Sequence, residues 1–259
     1  MSSTNRAVSS TGTKLILTGP TGVAGAATLS AAHSSPSITH ITTLSRRSPS
    51  LTGSKLDPIL IPSSSYPEGF DTVPPSLLDQ LKDHQSCVWA MGVARYQFAS
   101  NPDASKITYD YTLTFAKAFA SLGSRSDPFR FIYVSGDLVN QSTTEGSNEA
   151  LNVKAKTEKA LRQLEMENDG FQAVFVRPGI IDPTSEHTPQ MPWGRRYGLM
   201  SLAATLRYVK PDATISGEDL GRVCVELASG KMWEERDEQG AIQNAKLRQM
   251  AHTIMQSGM

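Results

Sequence analysis

An α/β fold built on a doubly wound parallel sheet is predicted by three observations. Short apolar runs alternate with stretches of helical period. The segments between successive runs are too long for hairpin turns and suit crossover helices, and the first run leads at once into a glycine-rich turn that opens a helix. At 259 residues, 39% hydrophobic and 19% charged, the chain can bury the core of one large domain.

The elements follow in order. Lys14–Thr18 is a first strand, and Val23–Ala32 an alanine-rich helix behind the glycine turn. Further strands fit Thr39–Ser45, Leu56–Ile61 and Cys87–Met91, separated by Ser/Pro-rich loops and a short helix around Leu77–Lys82. Ile107–Leu122 repeats apolar residues at helical spacing and stops near Gly123. Phe129–Val134 is a fifth strand, Glu149–Glu167 a charged amphipathic helix, and Phe171–Val176 a sixth strand broken by Pro178-Gly179. Residues 182–200 carry Pro, Gly, His, Trp and Arg without period. Ser216 caps a helix running through Ala228 with Asp219 in its first turn. Ala241–Met255, with Ile242, Leu247, Met250 and Ile254, reads as a helix packing on the body or on the second subunit of a homodimer. No repeat and no inter-domain linker interrupts the pattern. The organisation expected is a flexible tail over residues 1–13, then a single domain over 14–259 whose small C-terminal segment, from about 182, covers the substrate.

Charge narrows the function. The chain has 25 basic and 25 acidic side chains, a balance that disfavours nucleic-acid and membrane-surface binding. Residues 1–56 nevertheless hold Arg6, Lys14, Arg46, Arg47 and Lys55 and no acid, which points to a local anionic ligand. Cys87 and Cys224 stand alone in apolar segments, so reduced core thiols and a reducing compartment are expected, cytoplasmic or, alternatively, mitochondrion-associated. The scattered histidines His33, His40, His84, His187 and His252 offer no metal-ligand spacing, and no apolar run approaches the roughly 18 residues of a membrane span.

The turn Thr18-Gly19-Pro20-Thr21-Gly22-Val23-Ala24-Gly25 places glycines three apart between strand and helix. Gly19 permits the sharp turn, Gly22 lets backbone approach a pyrophosphate, and Gly25 allows close helix packing. With Thr21 and Val23 between them, these residues form a candidate dinucleotide loop whose anion faces the helix N-terminus. The second strand ends in Ser45-Arg46-Arg47 where an acid would bind a free ribose 2′-hydroxyl. Two guanidiniums there favour a 2′-phosphate, hence NADP.

With these motifs the chain resembles an atypical, extended-type short-chain dehydrogenase/reductase, and in particular the Tat-interacting-protein group and its fungal mitochondrial relatives. Besides the glycine loop, Leu44–Arg47, Met91-Gly92-Val93-Ala94-Arg95, Asp110-Tyr111, Tyr133-Val134-Ser135-Gly136, Val153-Lys154 with Glu158, and Val176-Arg177-Pro178-Gly179 carry the resemblance, in family order, over residues 14–180. It implies a Rossmann domain holding NADP, with Gly92 near the cofactor, Ser135 beside the nicotinamide, Lys154 on its ribose and Pro178-Gly179 near the carboxamide. It also implies a Tyr-x-x-x-Lys pair in which the tyrosine protonates the developing alkoxide. Four residues before Lys154 stands Ala150, and four before Lys156 stands Asn152, so the acid is missing.

Loss of a general acid costs about 10² to 10⁴ in rate. Asp137, Tyr96, Tyr197 and His187 are candidate donors, none preferred. Ser135 reads either as an oxyanion ligand or as a strand-ending loop residue, and Lys154 either as a ribose ligand or as part of a solvated face with Lys156 and Lys159. The leading function is an NADP-dependent oxidoreductase reducing a small carbonyl compound. A non-redox isomerase, cyclase or dehydratase, using space opened at Ala150, and a non-catalytic NADPH-binding regulator are the alternatives.

Overall fold

The computed structural model describes residues 12–142, 146, 148–182, 198 and 213–258. Seven parallel strands form one sheet in the order β3-β2-β1-β4-β5-β6-β9. They are β1 (Thr13–Thr18), β2 (Ile38–Ser45), β3 (Leu56–Leu60), β4 (Ser86–Trp89), β5 (Phe129–Val134), β6 (Phe171–Arg177) and β9 (Ala241–Gln243), while β7 (Ile180–Asp182) and β8 (Thr214–Ser216) pair separately. The strand order reverses between β1 and β4, which leaves the crevice at their C-terminal ends where ligands of such sheets bind.

Helices cover both faces, as parallel pairing requires. α1 (Val23–Ser34), α6 (Gly217–Ala228) and α7 (Asn244–Ser257) lie on one side, packed on Leu15, Leu17, Val88, Ile132, Val174 and Val176. α2 (Pro75–Leu81), α4 (Tyr111–Phe119) and α5 (Glu149–Glu167) lie on the other. Successive strand residues point to opposite faces, so Cys87, Trp89, Phe129, Phe131 and Tyr133 join this second layer. Its centre is a chain of rings: Trp89 stacks on Phe131 at 5.8 Å and leans on Phe115 at 5.4 Å, which meets Phe119 edge-on. Both thiols, Cys87 and Cys224, are buried and free.

Small residues set the α1–α6 crossing. A Cβ on Gly221 would lie 2.5 Å from the Ala27 carbonyl oxygen, so the two backbones meet directly. α1 ends under Lys55, whose Nζ donates to the carbonyls of Ala32, His33 and Ser35. A cation on these unpaired carbonyls complements the helix dipole. The edge strand β3 carries Pro58, which has no N–H to offer outward.

The strand Phe129–Val134 and the helix Glu149–Glu167 have the expected bounds. Ser216 caps α6, its Oγ accepting from Asp219 N at 3.0 Å. Two expectations are corrected. Ala241–Met255 is not one helix: Ala241–Gln243 pairs with β6 as a seventh strand, and the helix begins at Asn244. Ile107–Leu122 is not uniformly α-helical either. Lys106–Asp110 forms a π turn ahead of α4, and Ala120–Leu122 closes as a 3-10 turn. The π turn leaves the Thr108 carbonyl to the hydroxyls of Thr112 (2.8 Å) and Thr157 (3.3 Å). Of the proposed tail, residues 1–11 lie outside the described residues while Thr13 already belongs to β1, and of the covering segment 183–197, 199–212 and 259 lie outside them. Among those described, no helix is long and apolar enough to cross a membrane.

His84 is buried at the opposite end of the sheet from the crevice. Its Nδ1 lies 3.1 Å from the Leu81 carbonyl, which can only accept, so Nδ1 carries the proton and Nε2 accepts from Thr42 Oγ1 at 2.9 Å. Burial pushes its pKa down to about 4, with the Leu81 contact opposing and His40 and Lys14 reinforcing the shift. The unfolded chain, with an ordinary histidine near 6.5, binds the proton first, so stability is full above that pH and declines as pH falls toward 4. Linkage sets the loss at about 3 kcal/mol. Urea unfolding followed between pH 7 and 4 is expected to show this decline, and His84→Gln to flatten it.

Candidate active site

The glycine turn bends sharply after β1. Gly19 has φ +65°, and a Cβ there would lie 2.7 Å from the Ala90 carbonyl oxygen. At Gly25 a Cβ would fall 1.9 Å from the Gly19 oxygen, so helix α1 starts directly on the turn. Gly22 is the N-cap of α1, with no side-chain cap and no acid in the first turn. The positive end of the helix is thereby left for an external anion. Thr21 and Val23 line the same turn, half-buried.

Arg46 and Arg47 are exposed just beyond β2. The Ser45 hydroxyl donates to the Arg47 carbonyl at 2.7 Å and shapes the bend, and Arg47 Nη2 reaches Thr21 Oγ1 at 3.5 Å. One expected phosphate ligand therefore overhangs the glycine turn. Across the crevice, Met91 N donates to Thr18 Oγ1 at 3.2 Å and ties the loop after β4 to the end of β1. Among the described residues nothing lies within 4 Å of where a Gly92 Cβ would be, so the loop is open at this point.

The loop after β5 is fixed to the end of β6. Ser135 N donates to the Val176 carbonyl at 2.8 Å and Asp137 N to the Pro178 carbonyl at 3.0 Å. Gly179 approaches β8, where a Cβ would lie 2.2 Å from the Ala213 oxygen, and its N–H donates to Asn244 Oδ1 at 2.7 Å. Ser135 is 5% exposed, and its Oγ has no hydrogen-bond partner among the described residues. A buried hydroxyl left unpaired costs free energy.

Lys154 is not part of a solvated lysine face. Its Nζ turns inward and donates to the Ser135 carbonyl at 2.8 Å, whereas Lys156 lies over the Tyr109 ring at 4.2 Å. Burial pushes the Lys154 pKa down to about 8, with the Glu158 charge partly opposing the shift. One turn further, Glu158 is fully buried against Arg177. Nε and Nη2 of Arg177 meet its two oxygens at 3.1 and 2.5 Å, and Gln141 Nε2 adds 2.9 Å. Tyr133 lies beside this network with its pKa raised, first by burial and then by the Glu158 charge.

Ala150 opens no space. It is 2% exposed and packs with Val93, Phe98 and Ala104. The room expected there for an altered substrate is filled by α3 (Arg95–Phe98) and its surroundings. Of the candidate donors, Tyr96 is 68% exposed on that short helix and Asp137 is exposed. Tyr197 and His187 lie outside the described residues. Asn244, Gln141 and the Arg177–Glu158 pair were not singled out as site supports from the sequence. Of these only Glu158 and Arg177 carried a signal of that role, in their inward spacing on α5 and β6.

No family model matches the chain. It is 30% identical over 203 residues to the leucinostatins biosynthesis cluster protein T of Purpureocillium lilacinum, covering 69% of this chain and 68% of that protein. Solved structures share the fold. A short-chain dehydrogenase family protein from Francisella tularensis superposes with a TM-score of 0.62 at 14% identity, over 90% of this chain and 96% of that one. A short-chain dehydrogenase from Burkholderia cenocepacia, solved in complex with NADP, gives 0.59 at 19% identity over 94% and 93%. A short-chain dehydrogenase/reductase from Saccharomyces cerevisiae gives 0.61 at 17% over 90% and 96%. The chain belongs to one family with the leucinostatins biosynthesis cluster protein T, and its fold is that of the short-chain dehydrogenase/reductase structures.

Two substitutions test the geometry. Ala150→Tyr forces a ring into the cluster of Val93, Phe98 and Ala104, and should destabilise the fold by about 1–3 kcal/mol in urea unfolding. Glu158→Ala strands the buried Arg177 charge and should cost about 3–5 kcal/mol, with Arg177→Met on the same background recovering part of it.

Proposed function

We propose that the protein is an NADP-dependent oxidoreductase that reduces a small carbonyl compound. The observation that carries this reading is the buried Ser135 Oγ, unpartnered among the described residues, on the residue whose carbonyl accepts from Lys154 Nζ, at the C-terminal end of β5 in the sheet whose β1 leads into an uncapped glycine turn. The residues fit a dinucleotide: Gly19, Thr21, Gly22, Val23 and Gly25 would hold its pyrophosphate at the start of α1, Arg46 and Arg47 its 2′-phosphate, and Gly92, Pro178 and Gly179 the nicotinamide half. Bound there, NADPH would supply a hydride. The similarity to a biosynthesis cluster protein favours a biosynthetic intermediate as the carbonyl compound.

This chain's own residues would do the rest. The Ser135 hydroxyl donates to the substrate oxygen and favours the charge that develops on it. The Arg177–Glu158 pair and the Val176 and Pro178 carbonyls hold the loop that carries Ser135. A non-catalytic NADPH-binding regulator is the second reading, favoured by the apolar packing of Ala150 where a tyrosine would stand. The non-redox reading loses its motive, since that packing leaves no extra space.

Thermal-shift titration with NADPH and NADH tests the cofactor site. Arg47→Ala removes a charge-assisted contact of about 1.5–3 kcal/mol. NADPH affinity should fall about 10- to 100-fold while NADH changes little. Equal loss for both nucleotides would remove the phosphate site, and failure of the wild-type protein to bind either would remove the cofactor reading. Oxidation of NADPH by wild-type protein with a panel of aldehydes and ketones separates reductase from regulator.

A further inference from the structure

We propose that Lys154 is the proton donor of this site, its Nζ–H protonating the substrate oxygen in place of the tyrosine that position 150 lacks. The assignment rests on the reductase reading above. It is argued from what the site offers and what it excludes.

The usual acid position is closed, because Ala150 is packed among Val93, Phe98 and Ala104. Tyr133 is on the right strand but is buried two residues short of Ser135, its hydroxyl made a poorer acid by burial and by Glu158. Glu158 has both oxygens engaged by Arg177, with Gln141 on one of them. Tyr96 and Asp137 are exposed. Lys154 remains. Its ammonium has three N–H bonds, and among the described residues one acceptor, the Ser135 carbonyl.

The same residue presents the unpartnered Oγ, so one substrate oxygen can accept from Ser135 Oγ–H and from Lys154 Nζ–H together. Gly136 leaves Nζ uncovered on that side, where a Cβ would touch it at 3.7 Å. Among the described residues the charged group acting on Nζ is Glu158 on its own helix, whose carboxylate is paired with Arg177 on β6. Desolvation then dominates and brings the ammonium to about 8, close to where a general acid works best at neutral pH. In the balanced step the carbonyl carbon gains the hydride and the C=O π pair moves onto oxygen. An Nζ–H bond breaks as the O–H bond of the alcohol forms, and the neutral amine recovers its proton from water.

Lys154→Arg tests the assignment, because arginine keeps the charge and a donor for the Ser135 carbonyl but does not release a proton in this pH range. On the full chain with ¹³C-labelled lysine, the Cε resonance missing from Lys154→Arg, and from Lys154→Gln as a second variant, should titrate near pH 8. Titration above pH 10 overturns the proposal. Wild-type NADPH oxidation with the carbonyl panel should fall about tenfold per pH unit above 8. Lys154→Arg should lose at least about 10² in kcat, and its residual rate should lack the limb above pH 8. An arginine variant with the wild-type rate and pH limb overturns the donor role and leaves the reductase reading intact. Wild-type protein that binds NADPH yet reduces no carbonyl overturns the reductase reading, and the donor role with it, even with Lys154 titrating near 8. The wild-type pH limb decides even where a variant fails to fold.

Discussion

Glu158 is the constraint on which the site rests. A carboxylate with no exposure must be paired, and here Arg177 takes both oxygens while Gln141 adds a third bond. The pair couples the middle of α5 to the end of β6. Such pairs contribute little net stability compared with apolar packing, but removing one partner is severe. Their use here is positional. With α5 held at this register, Lys154, one turn earlier, comes to the Ser135 carbonyl, and Ala150, one turn earlier again, is brought against Phe98.

The cofactor end depends on backbone proximity instead. Gly19, Gly25 and Gly221 each stand where a side chain would collide with a carbonyl, so the turn, helix α1 and helix α6 are stacked with almost nothing between them. This explains why the alanine-rich α1 needs no strong apolar stripe. It buries small residues on several sides, and its C-terminus is satisfied by Lys55. The outcome is a rigid anion-facing helix end opposite a polar cluster that retains unsatisfied groups.

Much of this was legible in the residues. Glycine spacing placed the turn, Ser216 with Asp219 placed α6, and alternating apolar runs placed six strands. The seventh strand was hidden because three residues, Ala-Ile-Gln, show no period before a helical pattern takes over. The inward turn of Lys154 was hidden for a related reason: Lys156 and Lys159 on the same helix suggest a wet face, yet residues 154, 157, 158 and 161 share one side, and only tertiary pairing tells whether that side is dry. At position 150 the family resemblance leads to the expectation of a tyrosine, and the chain has Ala150. That its place is occupied by Val93 and Phe98 depends on α3, a four-residue helix without a sequence signature.

The sheet's two edges have a consequence for assembly. On one side Pro58 interrupts the outward row of donors on β3, with Asp57 exposed beside it. On the other, β9 offers only three residues before the chain turns into α7. Neither rim can template another strand. Growth of the main sheet from molecule to molecule, the usual route from a β-rich core to fibres, is therefore disfavoured at both ends.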